Sequence, residues 1–256
     1  MINGRECIGI VLSGGVGTRV KGVDTPKQYI EVNGKTIIEY TLTTVAGNKY
    51  IDRIVVVCNK EYEKLIGNIY TKIINNIKND KLDLYNNEMI DYTNCFLKKE
   101  IIYASPGENR QFSILNGLKI LEGKISDNSY VAIIDAARPK MSDDILNRCF
   151  ENMTGYDGVL PVLPMKDTVY MSDDGKKITS LLDRNKILAG QAPEVFEYKK
   201  YLDANVFLSK DEIMNINGSS EVAVKFGMNI AVIEGDEKNY KITTNDDLER
   251  FKEEFI

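Results

Sequence analysis

The segment IVLSGGVGTRVKGVDTPKQYIEVNGK, Ile10 to Lys35, sets two isolated cations, Arg19 and Lys27, behind a glycine-rich turn. The apolar run Ile8–Leu12 ends abruptly in Ser13-Gly14-Gly15-Val16-Gly17-Thr18. Glycine carries no Cβ, so successive backbone N–H groups can close on phosphate oxygens at such a turn. Two separated positive charges suit a polyphosphate whose charge moves during a reaction. A Walker A loop would need a terminal Gly-Lys-Ser/Thr, and none follows. A dinucleotide fingerprint would need G-x-G-x-x-G, but Val20 stands where the third glycine belongs. Lys35–Glu39 also does not read as a strand ending in a ribose-binding acid. Read in isolation, a glycine turn of this kind is equally a surface turn with solvated cations; the Pro26-Lys27-Gln28 extension argues against that.

Composition narrows the chemistry further. Histidine is absent from all 256 residues, which removes Ser-His and Cys-His nucleophilic catalysis, imidazole acid–base steps and histidine-ligated metals. Cys7, Cys58, Cys95 and Cys149 lie far apart and form no C-x-x-C pair. That spacing argues against a zinc cluster or disulfide framework and for a reducing, cytoplasmic setting. A net charge of −5 argues against a nucleic-acid partner, while leaving room for a local cationic pocket. No stretch approaches the apolar length of a membrane span, and MINGRECIGIVL reads as a first strand rather than a signal peptide.

The elements that must position these residues alternate in type. Strands are expected at Ile8–Leu12, Arg53–Cys58, Ile101–Ala104, Tyr130–Asp135, Gly158–Val162 and Asn229–Glu234. Helices are expected at Thr36–Val45, Lys60–Asn75, Asn109–Leu121, Ser142–Asn152 and Glu197–Leu208. Near-continuous apolar strands between amphipathic helices define an α/β fold: a single Rossmann-like domain over 1–256 with a mostly parallel sheet covered on both faces. Ligands of such sheets bind at the carboxyl ends of strands, where Ser13–Thr18 and Asp135 both fall. Asn75–Lys99, polar and rich in asparagine, shows no clear period and reads as an insertion. Pro161–Pro193 holds two β-rich runs about a Ser172-Asp173-Asp174-Gly175 turn, the signature of a hairpin. Such a β-arm either projects onto a second subunit, giving a homodimer, or covers its own domain.

Five segments in order carry a family resemblance over nearly the whole chain: LSGGVGTR…PKQY, SPGENRQFSILNGL, IIDAARP, PVLPMKDTV…LLDRNKILAGQAPEVF and EGDEKNYKITTNDDL. The sequence resembles the cytidylyltransferases that form CDP-linked sugar alcohols, of the 2-C-methyl-D-erythritol 4-phosphate and ribitol 5-phosphate types. The resemblance implies the nucleotidyltransferase fold and transfer of CMP from CTP to a polyol phosphate with Mg²⁺, releasing pyrophosphate. It implies catalytic roles for Arg19, Lys27 and Lys241, the last reaching the α-phosphate from a late strand. Ser13, Gly14, Gly15, Gly17, Thr18, Gly107, Glu108, Ser113 and Ala136 match positions that hold the nucleotide, with Gly107–Ser113 reading cytosine. Asp135 matches a metal and substrate ligand, and Arg138, Lys166 and Thr168 match substrate-binding positions. A substrate phosphate is already ionised, so the reaction needs charge neutralisation and alignment rather than a general base. The absence of histidine is then no handicap.

Several positions depart from the methylerythritol pattern. Leu12-Ser13-Gly14-Gly15 stands for Pro-Ala-Ala-Gly, Lys166-Asp167-Thr168 for Arg-Asp-Thr, and Gln191-Ala192-Pro193 is closer to the ribitol-type Gln-Thr-Pro. Lysine meets phosphate as a point charge where arginine offers a planar fork, so the exchange at 166 alters recognition. These departures favour a ribitol-like substrate feeding a cell-surface polymer over methylerythritol phosphate of isoprenoid biosynthesis. Pro106 replaces the first of two glycines in the base-reading loop. Lys238 stands where an aspartate is expected, with Asp236 the nearest substitute. A catalytically silent nucleotide-binding paralogue would be expected to have lost some of Arg19, Lys27, Asp135 and Lys241; all are present.

Overall fold

The computed structural model describes residues 1–15, 25–84 and 99–255. Strand β1 (Cys7–Leu12) alternates its side chains between two cores. Cys7 and Val11 enter one cluster, Ile8 and Ile10 the other, so the strand is buried on both faces. β4 (Arg53–Val57) and β6 (Tyr130–Asp135) flank β1 in parallel, and β5 (Glu100–Ala104) lies parallel outside β4. A short β2–β3 hairpin (Glu31–Val32 and Lys35–Thr36) leads from the glycine loop into helix α1 (Ile37–Gly47).

The strand order β5-β4-β1-β6 reverses direction at β1, so the crevice between the ends of β1 and β6 is the switch point where ligands bind. The register puts Leu12 beside Asp135 at that crevice. Beyond β6 the sheet is mixed. β11 (Glu194–Glu197) runs antiparallel between β6 and β7 (Gly158–Pro164), β12 (Ile230–Glu234) pairs in parallel with β7, and β10 (Leu188–Gly190) pairs antiparallel with the end of β7.

Helix α2 (Lys60–Leu84) runs past the expected end at Asn75, so the first part of the stretch read as an irregular insertion is helix through Leu84. Ile66, Ile69 and Ile73 are buried and Ile77 packs on the same core, a helical spacing hidden by the asparagines between them. Residues 85–98 lie outside the described residues. Helix α3 (Arg110–Lys119) packs close on the opposite face: a Cβ on Gly117 would sit 2.8 Å from Ile10 Cγ2. Helix α4 (Asp143–Glu151) starts at a Ser142 cap and presents Ile145, Leu146, Cys149 and Phe150 to the core. After α5 (Tyr198–Phe207) come α6 (Lys210–Asn215), α7 (Ser219–Lys225) and the late α8 (Asn245–Glu253), none of them expected from periodicity. Capping boxes at Ser209/Glu212 and Thr244/Asp247 start α6 and α8 and were the legible signal for both.

Residues 161–193 form the expected hairpin. β8 (Val169–Met171) and β9 (Ser180–Leu182) pair antiparallel in a separate two-stranded sheet. Gly175 turns with φ +68°, and Asp174 Oδ1 accepts from the backbone N–H of Lys176 and Lys177. Tyr170, Met171, Ile178 and Leu181 are exposed along it.

Candidate active site

A cleft of about 390 Å³ opens at the switch point. Its lining includes Gly14 and Gly15 after β1, Gly107, Glu108 and Ser113 before and within α3, Asp135 and Ala136 after β6, and Lys27 and Lys241. Most of the residues picked out by the sequence are therefore brought together, from stretches more than two hundred positions apart. Gly17, Thr18 and Arg19 lie outside the described residues.

The glycine loop is held from beneath. Gln28 is buried, and its Nε2 donates to the carbonyls of Ser13 (2.7 Å) and Gly15 (2.8 Å). Ser13 is a floor residue rather than a wall residue, with its hydroxyl donating to Tyr29 Oη at 2.9 Å. Among the described residues, a Cβ on Gly15 would meet nothing within 4 Å. Lys27 reaches in from the short 3-10 turn Lys27–Tyr29 and donates to the Ile242 carbonyl at 2.7 Å.

Across the cleft, Asn109 caps α3 by accepting from the Phe112 N–H at 2.8 Å. The N-terminal end of this helix lines the cleft through Asn109, Arg110 and Ser113, where helix-end amides favour an anion. Ser113 Oγ accepts from the Gly107 N–H (3.0 Å) and donates to the Asn109 carbonyl (2.9 Å), which fixes the loop. Gly107 has no alternative, since a Cβ there would fall 2.2 Å from Phe112 Cβ. Glu108 directs its carboxylate away, to Lys210 at 2.5 Å, so only its backbone is available to a ligand held beside Gly107.

Asp135 is the electrostatic centre. Arg110 Nη2 lies 3.1 Å from its Oδ1, and Arg138 Nε and Lys241 Nζ lie 3.2 and 3.1 Å from its Oδ2. Burial penalises the carboxylate, but Arg110, Lys241 and Arg138 outweigh it and hold its pKa far below the usual carboxylate range. Arg138 stands behind Asp135 rather than in the lining, tied by Nη1 to the Asn239 carbonyl at 2.6 Å. Lys241 comes from the connection between β12 and α8, not from a strand as the resemblance implied. That connection is pinned beside β6 by the Ile242 N–H donating to the Ala137 carbonyl.

Arg110 is the main residue that sequence reasoning passed over, although it lies inside SPGENRQFS immediately after the helix cap. Its Nη1 donates to Ser219 Oγ at 2.6 Å, and that hydroxyl donates in turn to Glu194 Oε1 at 2.5 Å. Glu194 is pushed up by burial, and Arg110, at 3.7 Å, compensates it less than it compensates the nearer Asp135. Glu194 Oε2 has no hydrogen-bond partner among the described residues.

Lys166 and Thr168 are not brought to this cleft. Both are exposed on the arm, and Lys166 pairs with Glu237 of the same chain. Asp236 turns inward on its own loop, accepting from the Lys238 N–H at 2.8 Å, and does not line the cleft. Among the described residues no group of three or more metal-ligating side chains occurs. Asp135 lines the cleft with both oxygens held by Arg110, Arg138 and Lys241, so it fits a hard cation such as Mg²⁺ only if the ion takes the place of one of these cations and draws most of its ligands from phosphate oxygens and water.

A parallel sheet with a glycine loop and flanking cations at its switch point is a nucleotidyltransferase arrangement. The profile described as 2-C-methyl-D-erythritol 4-phosphate cytidylyltransferase matches residues 7–256, and the chain belongs to that family. It is 29% identical to a ribitol-5-phosphate cytidylyltransferase of Streptococcus agalactiae serotype V, over 96% of this chain and 93% of the relative. It is 30% identical to a 2-C-methyl-D-erythritol 4-phosphate cytidylyltransferase of Thermosipho africanus, over 94% of each. The fold matches the crystal structure of 4-diphosphocytidyl-2C-methyl-D-erythritol synthase from Anaerococcus prevotii, with TM-score 0.76 and 24% identity, over 99% of this chain and 97% of that one. The Francisella tularensis 2-C-methyl-D-erythritol 4-phosphate cytidylyltransferase matches with TM-score 0.71 and 25% identity, covering 96% and 98%. No helix among the described residues is long and apolar enough to cross a membrane.

Proposed function

We propose that this enzyme transfers CMP from CTP to ribitol 5-phosphate or a closely similar polyol phosphate, acting as a homodimer in the cytoplasm. The observation that carries the reading is the cleft itself: Lys27, Arg110 and Lys241 converge on one open space between a glycine loop and a helix N-terminus. An oxygen of the polyol phosphate attacks the α-phosphorus of CTP, the bond to the β-phosphate oxygen breaks, and pyrophosphate leaves. Both reactants are anions, so the cations lower the barrier by neutralising charge as it shifts toward the leaving group. Lys27 and Arg19 are assigned to that task, and Lys241 to the α-phosphate. The Gly107–Ser113 loop is assigned to the cytosine edge. Magnesium, when bound, would be held by Asp135 together with phosphate oxygens and water, and would supply further neutralisation of the triphosphate.

Support for ribitol over methylerythritol comes from Leu12-Ser13-Gly14-Gly15, Lys166 and Gln191-Ala192-Pro193, each of which departs from the methylerythritol pattern. Lys166 and Thr168 are assigned to a neighbouring subunit's polyol phosphate; their distance from their own cleft supports that assignment. The exposed apolar arm supports that dimer, and the buried free thiols of Cys7, Cys58 and Cys149 support a reducing compartment. Pyrophosphate release is the test, with CTP or UTP against ribitol 5-phosphate and 2-C-methyl-D-erythritol 4-phosphate. CTP should exceed UTP by at least about 10² in kcat/KM, as expected for a site that hydrogen-bonds a base. Equal use of both nucleotides rejects the cytidylyltransferase reading; exclusive use of methylerythritol phosphate rejects the ribitol assignment alone.

A further inference from the structure

Gly14, unlike Gly15, lacks a side chain because a neighbour occupies the place of its Cβ. Its φ is not among the positive values of the chain, so the backbone at this position would accept any L-residue. What forbids a side chain is Pro106: a Cβ on Gly14 would lie 2.3 Å from Pro106 Cβ and 3.1 Å from its Cγ. Neither neighbour has an easy way to yield. The proline ring has no rotamer to retreat into, and its φ is locked. Gly14 is tied on both sides, because Gln28 binds the carbonyls of Ser13 and Gly15 and the Ser13 N–H donates to Val57 O at 2.8 Å.

Gly14 and Gly107 line the cleft from two different loops, and Pro106 stands one residue before Gly107. Gly14 continues β1 into the phosphate-side loop, and the Gly107 N–H is fixed by Ser113. We infer that Gly14 and Pro106 form a size-complementary pair that positions the two loops, setting the span between the triphosphate loop and the cytosine-reading loop. Pro106 has no N–H to give the base, so what it contributes is shape. The pair acts through the loops and touches no reacting atom. It rests on the nucleotide reading proposed above.

A double-mutant cycle tests it, with CTP affinity measured by calorimetry and thermal stability followed in parallel. Gly14→Ala should weaken CTP binding by about tenfold, the usual scale of a forced overpacking. In the Pro106→Gly background the same Gly14→Ala change should cost less than about threefold, because the obstacle has gone. Pro106→Gly alone should narrow the preference for CTP over UTP by leaving the loops unspaced. Equal losses from Gly14→Ala in both backgrounds, or a lower Tm with unchanged CTP affinity and base preference, overturn the pairing. If Gly14→Ala does not fold, a double variant that folds and binds CTP supports the pair, and one that does not fold overturns it. Additivity in a wild type that binds CTP rejects the pair alone, whereas a wild type that binds no CTP rejects the nucleotide reading itself.

Discussion

The cleft and the arm are built on opposite principles. Around Asp135 nearly every polar group is tied within one chain: Arg110 to Asp135 and Ser219, Arg138 to Asp135 and Asn239, Lys27 to Ile242. In the arm, among the described residues, β8 and β9 pair only with each other, and Ile178 and Leu181 are 66% and 65% exposed. A two-stranded ribbon alone is marginal in water, so its apolar side chains gain only when something covers them. Chemistry that depends on alignment to fractions of an ångström sits where the chain constrains itself. The proposed recognition of a second subunit falls where the chain leaves its apolar side chains uncovered.

The sharpest way to break the constrained side is Lys27→Ala. Removing one positioned electrostatic donor typically costs roughly 10²–10³ in kcat. Turnover should fall by that factor while CTP affinity changes much less. A KM defect with unchanged kcat would reduce Lys27 to ground-state binding.

Asp135→Asn should have the next largest effect, on stability as well as activity. Removing one partner of a fully buried ion pair costs roughly 3–5 kcal/mol; here Arg110 and Lys241 reach solvent, so about 2 kcal/mol is expected. The folded pKa is depressed, so the carboxylate's contribution is fully present above its unfolded value of about 3.9 and is lost as pH falls toward the folded value. Urea denaturation should therefore show the wild type's advantage at pH 7 shrinking below about pH 4. A difference constant across that range would mean that the charge at 135 is not what the cations stabilise.

Ile178→Asp with Leu181→Asp addresses the unconstrained side and should scarcely change the fold. Exposed positions away from packed features usually shift stability by no more than about 0.5 kcal/mol. If the proposed dimer forms through the arm, sedimentation should instead show it replaced by monomer, with weakened use of polyol phosphate and CTP binding retained. An unaltered dimer would place the subunit interface elsewhere.

The sequence placed β1 and β6 almost to the residue because their apolar runs are bounded by turn chemistry and charge. Spacing behind the glycine turn singled out Lys27, the family resemblance singled out Asp135, Gly107 and Ser113, and all four line one cleft. Sequence periodicity missed the length of α2, whose buried isoleucines are diluted by asparagine, and it missed β11, which reads as the end of a loop until β6 and β7 flank it. Residue types pointed to phosphate chemistry, and the ordered set of five segments along the chain pointed to the family. Only the tertiary structure could decide that Arg110, Arg138 and Lys241 share one carboxylate, or that Gly14 is bare because of Pro106, since contacts between distant segments are set by packing in three dimensions. A side chain's partners depend on where the sheet brings its neighbours, and that information is absent from local periodicity.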